Sequence, residues 1–278
     1  MAKSSLQIFS LARVGVLALA LCSGASQPAQ AQDEDSPAPS PFWFNQYSLI
    51  QGPSLTRPSA YQPDFSGAPD RSRPVAVRNF TTLGIDLNDT QGIAGTLSWA
   101  ALAGDRGGFL LRDPSLRAYE SSLIETGIFR WHGDVRLHFG VGPESRQADR
   151  LFSIQTFNAL TLYDPDVRLW GGLWLSARWS QFGAQGVGPY WEFYIAPNLQ
   201  YQAGRKATLT LAIEENSGLW AYENTPTYYS ADPWYVEAAI EWQVTPTLEI
   251  SPALSYPLSS EARAASLSGS LGISWTLL

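Results

Sequence analysis

The chain has 278 residues, of which 15% are charged and 13% are aromatic, and its formal net charge is -7 at neutral pH. A typical soluble domain carries about 25% charged residues, so this composition departs from the soluble average. The acidic balance argues against nucleic-acid binding, which depends on Lys and Arg side chains that neutralise phosphates. A single cysteine excludes a disulfide framework within the chain.

The first 31 residues have the organisation of a secretory signal peptide. Lys3 and Arg13 supply a basic start, residues 14–22 form a short apolar run, and an A-x-A cleavage pattern ends at Ala31. The apolar run is too short to hold the chain in a bilayer as a helix. We therefore expect export and cleavage after residue 31, which leaves a more acidic mature chain without cysteine.

Three segments follow the leader. Residues 32–41 are acidic and rich in proline, which predicts a disordered tail on the periplasmic side. Residues 42–51 are rich in aromatic side chains and long enough for a membrane strand. Residues 52–78 contain five prolines and little periodicity, which predicts a long loop. The barrel domain is expected to span residues 42–278.

From residue 79 onward, apolar and polar side chains alternate with the period of two that is typical of strands. The clearest strands are predicted at residues 134–141, 167–179, 190–201, 234–244 and 267–278. Weaker patterns predict strands at residues 79–88, 93–102, 121–131, 151–163, 207–215 and 248–256. We expect a β-bulge at Pro252, which cannot donate to the ladder, and another within 151–163, where the apolar face changes midway.

The predicted connections alternate in length along the chain. Short ones fall at residues 88–91, 132–134, 163–166, 203–206 and 245–247, and long ones at 104–117, 142–149, 181–188, 217–233 and 258–264. Bacterial barrels have short periplasmic turns, longer external loops and an even number of strands. The sequence therefore predicts an all-β, transmembrane, antiparallel up-and-down β-barrel with twelve strands, or ten if the strands at 121–131 and 151–163 fail.

Aromatic residues gather near the predicted strand ends, as they do in the girdles of membrane barrels. They are Trp131, Tyr163, Trp179, Tyr190, Trp191, Trp234 and Tyr235. Lysine is nearly missing after the leader, with Lys206 alone in a turn, whereas a soluble β-sandwich would expose many charged side chains. Both features favour a membrane barrel over a soluble one.

The last twelve residues, LSGSLGISWTLL, resemble the terminal strand of bacterial outer-membrane β-barrel proteins of the porin-like superfamily. Those strands usually finish on Phe or Trp, whereas this one finishes on Leu278. The resemblance implies the bacterial outer membrane as the location. It also implies contact with outer-membrane lipid, lipopolysaccharide and the barrel-assembly machinery, and a homo-oligomer is a further expectation because porin-like barrels often trimerise.

If the apolar faces meet lipid, the opposite faces line the lumen. The candidate pore-lining residues are Asp86, Arg136, His138, Arg168, Arg178, Glu192, Glu214, Glu237, Glu241 and Glu249. Basic side chains prevail between residues 136 and 178, and acidic ones between 192 and 249, so a closed barrel would set a basic arc beside an acidic arc. This predicts a narrow channel that selects among ions or small polar solutes. Pairing of these charges, for example Arg178 with Glu192, would instead fill the lumen.

Two other functions stay open at this point. A non-conducting barrel for adhesion or envelope anchoring is suggested by the aromatic residues of segment 217–233. A lipid-modifying hydrolase would need a Ser–His pair, but His132 is expected in a turn and His138 in the lumen. No His/Asp/Glu cluster has the spacing of a metal site, so we predict no enzymatic activity, cofactor or metal.

The mature chain from outer membranes should begin at Gln32 when its intact mass is measured, because the A-x-A pattern ends at the preceding residue. It should also migrate differently in gels before and after heating. A mature chain that begins at a lipid-modified Cys22 would contradict this prediction.

Overall fold

A computed structural model describes residues 41–54, 76–102, 108–163, 167–186, 188–222, 225–231, 234–258 and 267–277. The strands in the first half are β1 (Phe42–Ser54), β2 (Ala76–Asp86), β3 (Gln91–Leu102), β4 (Gly108–Leu111), β5 (Ser115–Thr126), β6 (Phe129–Phe139) and β7 (Arg150–Leu162). Those in the second half are β8 (Leu169–Phe182), β9 (Pro189–Gln202), β10 (Ala207–Tyr222), β11 (Thr225–Ala231), β12 (Tyr235–Thr245), β13 (Leu248–Pro257) and β14 (Ser268–Leu277). One short helix, α1 (Pro143–Gln147), lies between β6 and β7.

The predicted leader and nearly all of the acidic tail lie outside the described residues, as does most of the predicted loop at 52–78. At the two ends of that loop, β1 continues to Ser54 and β2 begins at Ala76. None of the helices that the structure describes is long and apolar enough to cross a bilayer.

The strands pair antiparallel with their neighbours around the sheet, and β1 pairs with β14, so the sheet closes on itself. Strands β4 and β5 both pair with β3 and together form one interrupted wall strand. Strand β11 pairs with residues 217–222 at the end of β10, whereas β12 pairs with residues 207–214 at its start. The wall therefore has twelve strands, which confirms the predicted architecture and strand number.

Inward and outward side chains alternate along each strand. The inward ones have low exposed fractions and the outward ones have high exposed fractions. Thr82 is 2% exposed and its neighbour Leu83 is 64% exposed. Leu199, Leu211 and Ile240 are likewise exposed, although they are large and apolar. Small and polar side chains occupy the interior and aliphatic ones the exterior, which is the inverse of a soluble barrel and suits contact with hydrocarbon.

The short turn predicted at residues 132–134 is wrong. The chain turns after Thr126, at Gly127, whose φ of 53° lies in the left-handed region that favours glycine. Gly133 lies within β6, where a Cβ atom would stand 2.9 Å from the carbonyl oxygen of Phe157. That glycine therefore marks a close strand contact rather than a turn.

Two predicted long loops are also shorter than expected. Residues 108–111 and 115–126 are strands β4 and β5, although all of β4 and the start of β5 fell within the predicted loop 104–117. In the predicted loop 217–233, β10 runs on to Tyr222 and pairs with β11. The backbone groups of both segments are paired in hairpins, which continue the wall beyond the predicted strand ends.

Neither predicted bulge occurs at its expected place. The β13–β14 register is constant through Pro252. The β12–β13 ladder omits the pairs of Ile240 and Glu241 without a change of register there, and its register shifts between Gln243 and Thr245, next to the turn. The β6–β7 register is unbroken from Phe129 to Phe139. The register of β7 against β8 shifts between Arg150 and Phe152, so an irregularity lies at the start of β7 rather than midway, where Phe157 and Ala159 pack inward.

The aromatic girdle is only partly as predicted. Trp131, Trp179, Trp191 and Trp234 occupy outward positions near strand ends, and Trp131 donates a hydrogen bond to Asn158 at 3.0 Å. Tyr190 instead packs edge-on against the buried ring of Phe182 on the inside. Tyr235 is the partner of inward-facing Glu214 across β10 and β12, so it also faces the lumen.

The exterior of β1 and β2 carries polar side chains that satisfy one another. Ser48 donates to Asn79 at 2.7 Å, and Thr81 donates to Gln46 at 2.6 Å. An unpaired amide in hydrocarbon would cost several kcal/mol. These cross-strand hydrogen bonds explain how polar groups are accommodated on an otherwise apolar exterior.

An aromatic contact inside the short-turn end ties β1 to its neighbours. The indole of Trp43 occupies the space above Gly84, where a Cβ atom would stand 2.1 Å away. Its Nε1 donates to Tyr119 at 3.1 Å and to Asp86 at 3.3 Å, and the hydroxyl of Tyr119 donates to Asp86. The contact therefore links β1, β2 and β5 near the first described residues of the barrel.

The Trp43→Ala variant should unfold with a free energy lower by about 2 kcal/mol, because it removes a packed ring and leaves Asp86 without one donor. Urea unfolding of refolded protein in lipid vesicles measures this loss. The matched control is Phe42→Ala, since Phe42 is 63% exposed and should change the free energy by about 0.5 kcal/mol or less. Equal losses in the two variants would contradict the role given to Trp43.

Candidate functional site

The lumen has one wall that is rich in arginine, formed by the segment from β4 to β8. We call this the basic wall, and its members are Arg112, Arg117, Arg136, Arg150 and Arg178. Arg136 and Arg178 are almost fully buried. A guanidinium buried in this way must have acidic or hydrogen-bonding partners, because an unpaired charge away from water is strongly disfavoured.

Asp134 is the central acid of the basic wall. Arg136 binds it through two hydrogen bonds of 2.6 and 2.7 Å, and Arg117 lies 3.9 Å away from the same carboxylate. The guanidinium of Arg136 also lies over the ring of Phe157, 5.7 Å from its centroid. The bidentate pair fixes the position of Arg136 against the wall.

A hydrogen-bonded chain continues across β6, β7 and β8. The Nε2 atom of His138 and the amide oxygen of Gln155 are 2.9 Å apart, and Gln155 donates to Ser176 at 2.8 Å. Beside this chain, Arg178 donates to Ser153 at 2.8 Å and forms an ion pair with Glu192 at 3.7 Å. The Arg178–Glu192 pair that the sequence left open is therefore formed.

The long-loop end of the basic wall is held by a group of contacts that we call the mouth clasp. The carboxylate of Asp113 accepts hydrogen bonds from the Gly142 amide at 2.8 Å, from Ser145 and, at 3.5 Å, from Arg150. Arg112 pairs with Glu144 at 3.2 Å. Because Glu144 and Ser145 belong to α1, the clasp fixes the β6–β7 connection against β4 and β5.

The neighbouring β8–β9 connection is fixed to the same region. The amide of Gly183 donates to the carbonyl oxygen of Asp149 at 2.8 Å, and the amide of Gln185 donates to its carboxylate at 3.0 Å. Asp149 itself has a φ of 51°, which allows this reversal at the start of β7. The two long connections are thus joined to each other by backbone hydrogen bonds.

The other wall is rich in acidic residues, and the buried Arg78 on β2 lies near it. We call this the acidic wall, and its members are Glu214 on β10, Glu237 and Glu241 on β12, and Glu249 on β13. Strands β10 to β14 contain no Lys, Arg or His at any position. Two hydroxyls donate hydrogen bonds to these carboxylates within the described residues, Ser255 to Glu237 at 2.8 Å and Ser251 to Glu249 at 3.4 Å.

An apolar cluster lies between the two walls. The large members are Phe157, Trp174 and Tyr194, and small alanines complete it at Ala159, Ala196 and Ala212. All six side chains are buried and face inward. The lumen is thus narrowed by aromatic rings on β7, β8 and β9.

Two predicted pore-lining residues lie at the short-turn end rather than along the walls. Asp86 is the last residue of β2 and accepts the hydrogen bonds from Trp43 and Tyr119. Arg168 precedes β8, is exposed, and holds the connection by accepting a backbone hydrogen bond from Gln202 at 2.8 Å. The structure therefore brings together eight of the predicted residues on the two walls: Arg136, His138, Arg178, Glu192, Glu214, Glu237, Glu241 and Glu249.

Sequence reasoning missed the acidic partners of the basic wall. Asp134 was predicted where a turn meets a strand and was not among the predicted pore-lining residues; the true turn at Gly127 places it within β6, two residues from Arg136 on the same face. Asp113 and Arg117 were assigned to a loop. Ser145 gave no signal, because its role depends on a contact between segments about 30 residues apart.

The Asp113→Ala variant should loosen the mouth clasp, because Ser145 and Arg150 lose a shared acceptor. Hydrogen exchange of the backbone amides at 142–149 should become about ten times faster or more, which corresponds to a loss of ~1–2 kcal/mol. Arg146→Ala, at an exposed position on the same helix, serves as the control. Unchanged exchange in the Asp113 variant would show that the clasp does not hold α1.

Neither a protein-family model nor a curated protein sequence matches the chain. Among solved structures, it is similar to the COG4313 outer membrane channel from Pseudomonas putida F1, with a TM-score of 0.55 and 12% identity over 89% of this chain and 100% of that one. The KdgM porin in complex with disordered oligogalacturonate gives a TM-score of 0.48 and 6% identity over 85% of this chain and 99% of that one. Salmonella typhi OmpF in complex with daunomycin gives 0.40 and 6%, over 85% and 97%.

By name, the first of these is an outer membrane channel and the second is a porin. At 12% identity, the likeness to the Pseudomonas putida channel is one of fold and extends over that protein's whole length. The chain therefore has the fold of an outer-membrane channel barrel.

Proposed function

We propose that the protein is a narrow outer-membrane channel that selects among ions and small polar solutes by means of its two oppositely charged walls. The observation that carries this proposal is the opposition of arginines on β5 to β8 and carboxylates on β10 to β13. Fixed charges of opposite sign across a narrow lumen create a transverse field, which orients polar solutes and sorts ions by charge.

The balance of charge predicts a preference for cations. On the basic wall every arginine has an acidic partner, since Glu144, Asp134, Asp113 and Glu192 lie within 4 Å of them. On the acidic wall, no Lys or Arg among the described residues forms an ion pair with Glu214, Glu237 or Glu241. Arg78 on β2 offsets part of the negative potential of that wall, but the four carboxylates outnumber it. The negative potential there is therefore less compensated than the positive potential of the other wall.

Two further features support the proposal. The Pseudomonas putida protein with the same fold is an outer membrane channel. The exterior also has the exposed aliphatic side chains and outward tryptophans that a bilayer requires. We accordingly place the protein in the bacterial outer membrane, in contact with lipid and lipopolysaccharide and inserted by the barrel-assembly machinery. A homo-oligomer is part of the same proposal.

A non-conducting barrel for adhesion or anchoring is the second candidate, because the walls are closely packed. Arg136, Arg178, Glu214 and Glu237 are all buried, and the aromatic cluster narrows the lumen between them. We propose no enzymatic activity: His138 is engaged with Gln155, and His132 lies within β6 rather than at a surface site.

The charge proposal is tested by Glu241→Lys, which changes a half-buried lumenal position by two charge units. In planar bilayers with a potassium chloride gradient, the wild type should prefer potassium over chloride, and the variant should lose that preference by several-fold because a fixed positive charge repels cations. The reversal potential of single channels measures the change.

The matched control is Glu125→Lys, which makes the same charge change at an exposed position at the end of β5. An equal shift in both variants would contradict selection by the lumenal wall. Folded protein that gives no conductance in any variant would instead favour the non-conducting barrel.

A further inference from the structure

The centre of the acidic wall contains two buried carboxylates on neighbouring strands. Glu214 is 5% exposed and Glu237 is 6% exposed. In the β10–β12 register, Glu237 is opposite Ala212 and Glu214 is opposite Tyr235, so the two carboxylates are diagonal neighbours on the lumenal face. Diagonal neighbours lie about 7–8 Å apart at their Cα atoms, which long side chains bridge readily.

A buried hydroxyl on β10 faces the same region. Thr210 is 3% exposed, and its Oγ1 atom has no hydrogen-bond partner among the residues that the structure describes. Thr210 is opposite Ala239, so its diagonal neighbours on β12 are Glu237 and Glu241. A buried hydroxyl without a partner is unfavourable, and a ligand between these groups would offset that cost.

One carboxylate oxygen in the region also lacks a hydrogen-bond partner. The carboxyl group of Glu214 has a hydrogen bond with the hydroxyl of Tyr194, but its Oε1 atom is buried and has no hydrogen-bond partner within the described part of the chain. Strands β10 to β14 offer no Lys, Arg or His that could satisfy it. The carboxylate of Glu237 keeps a single hydrogen bond, from Ser255.

The side-chain atoms of this region that could coordinate a ligand are oxygen atoms. Besides the carboxylates and Thr210, the hydroxyl of Tyr47 lies over Gly272, 2.7 Å from where a Cβ atom would be, beside the hydroxyl of Ser251. Carboxylate and hydroxyl oxygens are ligands for hard cations rather than for soft metals or anions. Ca²⁺ and Mg²⁺ take six or more oxygen ligands, more than this small set of protein oxygens supplies, so a singly charged ion is the better fit.

We propose that Glu214, Glu237 and Thr210 form a binding site for a small monovalent cation of the alkali-metal type on the acidic wall. The site deepens the proposed channel function and rests on it. A cation bound there offsets one of the two negative charges and gives Thr210 Oγ1 an ion to coordinate. Bound cations exchange with those in the lumen, so the site is a step in cation passage rather than a structural metal centre.

The probe is thallium(I), which has the charge of an alkali-metal ion and can be located by anomalous scattering. Crystals of the refolded mature chain, soaked in thallium(I) acetate, should show a peak in contact with the Glu237 carboxylate and Thr210 Oγ1. The isosteric variants Glu237→Gln and Thr210→Val should each reduce its occupancy, Glu237→Gln by at least about tenfold because a full charge is removed.

The control is Glu125→Gln, which removes an exposed carboxylate at the short-turn end and should leave the peak unchanged. If Glu237→Gln does not fold, Thr210→Val still decides, since it removes only one hydroxyl. The absence of a peak in wild-type crystals, or a peak retained in both lumenal variants, would overturn the site.

Failure of the site and failure of the channel are distinguishable. Cation-selective conductance without a thallium peak would overturn the site and leave the channel proposal standing. A thallium peak in a protein that conducts no current would support the site and reject the channel.

Discussion

The rest of the structure depends on backbone hydrogen bonding between the first and last strands. The β1–β14 ladder runs from Phe44 opposite Leu277 to Ile50 opposite Leu271 and removes both edges of the sheet. In hydrocarbon an unpaired edge would leave a row of N–H and C=O groups without partners, at several kcal/mol each. Closure therefore makes a β-structure compatible with a membrane.

Closure also assigns each side chain to one of two environments. The strand period of two then requires large aliphatic residues such as Leu83 outside and small or polar ones such as Thr82 inside. The polar pairs on the exterior of β1 and β2 show the same constraint, because each polar group there is bonded to another.

Inside, burial determines how charges are arranged. The arginines of the basic wall come with acids from adjacent strands or connections, as in the bidentate pair of Arg136 and Asp134. The acidic wall has no basic residue on five successive strands, and hydroxyls are its hydrogen-bond donors. The charges of the basic wall are neutralised by partners more fully than those of the acidic wall. This difference underlies both the proposed cation preference and the proposed cation site.

The sequence was sufficient for the architecture, the strand number and the face of most lumenal residues. Alternation on β8 and β9 assigned Arg178 and Glu192 to one face, and cross-strand neighbours of opposite charge were then expected to meet. Prediction from the sequence failed where the alternation of apolar and polar residues is weak. The turn at Gly127 and the hairpin of β10 and β11 were misplaced, because segments rich in glycine and hydroxyl side chains have the composition of loops.

The partners of the lumenal charges were beyond sequence reasoning for a different reason. A pattern of period two gives the face of a residue but not its height relative to distant segments. The contact of Asp113 with Ser145 joins a strand break to a helix in another connection, and nothing local to either residue specifies it.

The central claim is that alternate side chains of a closed sheet face lipid and lumen, and β9 offers the most direct measurement. The expected mature chain has no cysteine, so single cysteines at positions 192 to 199 can carry nitroxide labels in lipid vesicles. We predict that, in electron paramagnetic resonance, labels at 193, 195, 197 and 199 collide frequently with oxygen dissolved in the lipid. Labels at 192, 194, 196 and 198 should be protected from these collisions. Equal accessibility to oxygen at odd and even positions would contradict the account. So would more frequent collisions of a water-soluble reagent with the labels at odd positions.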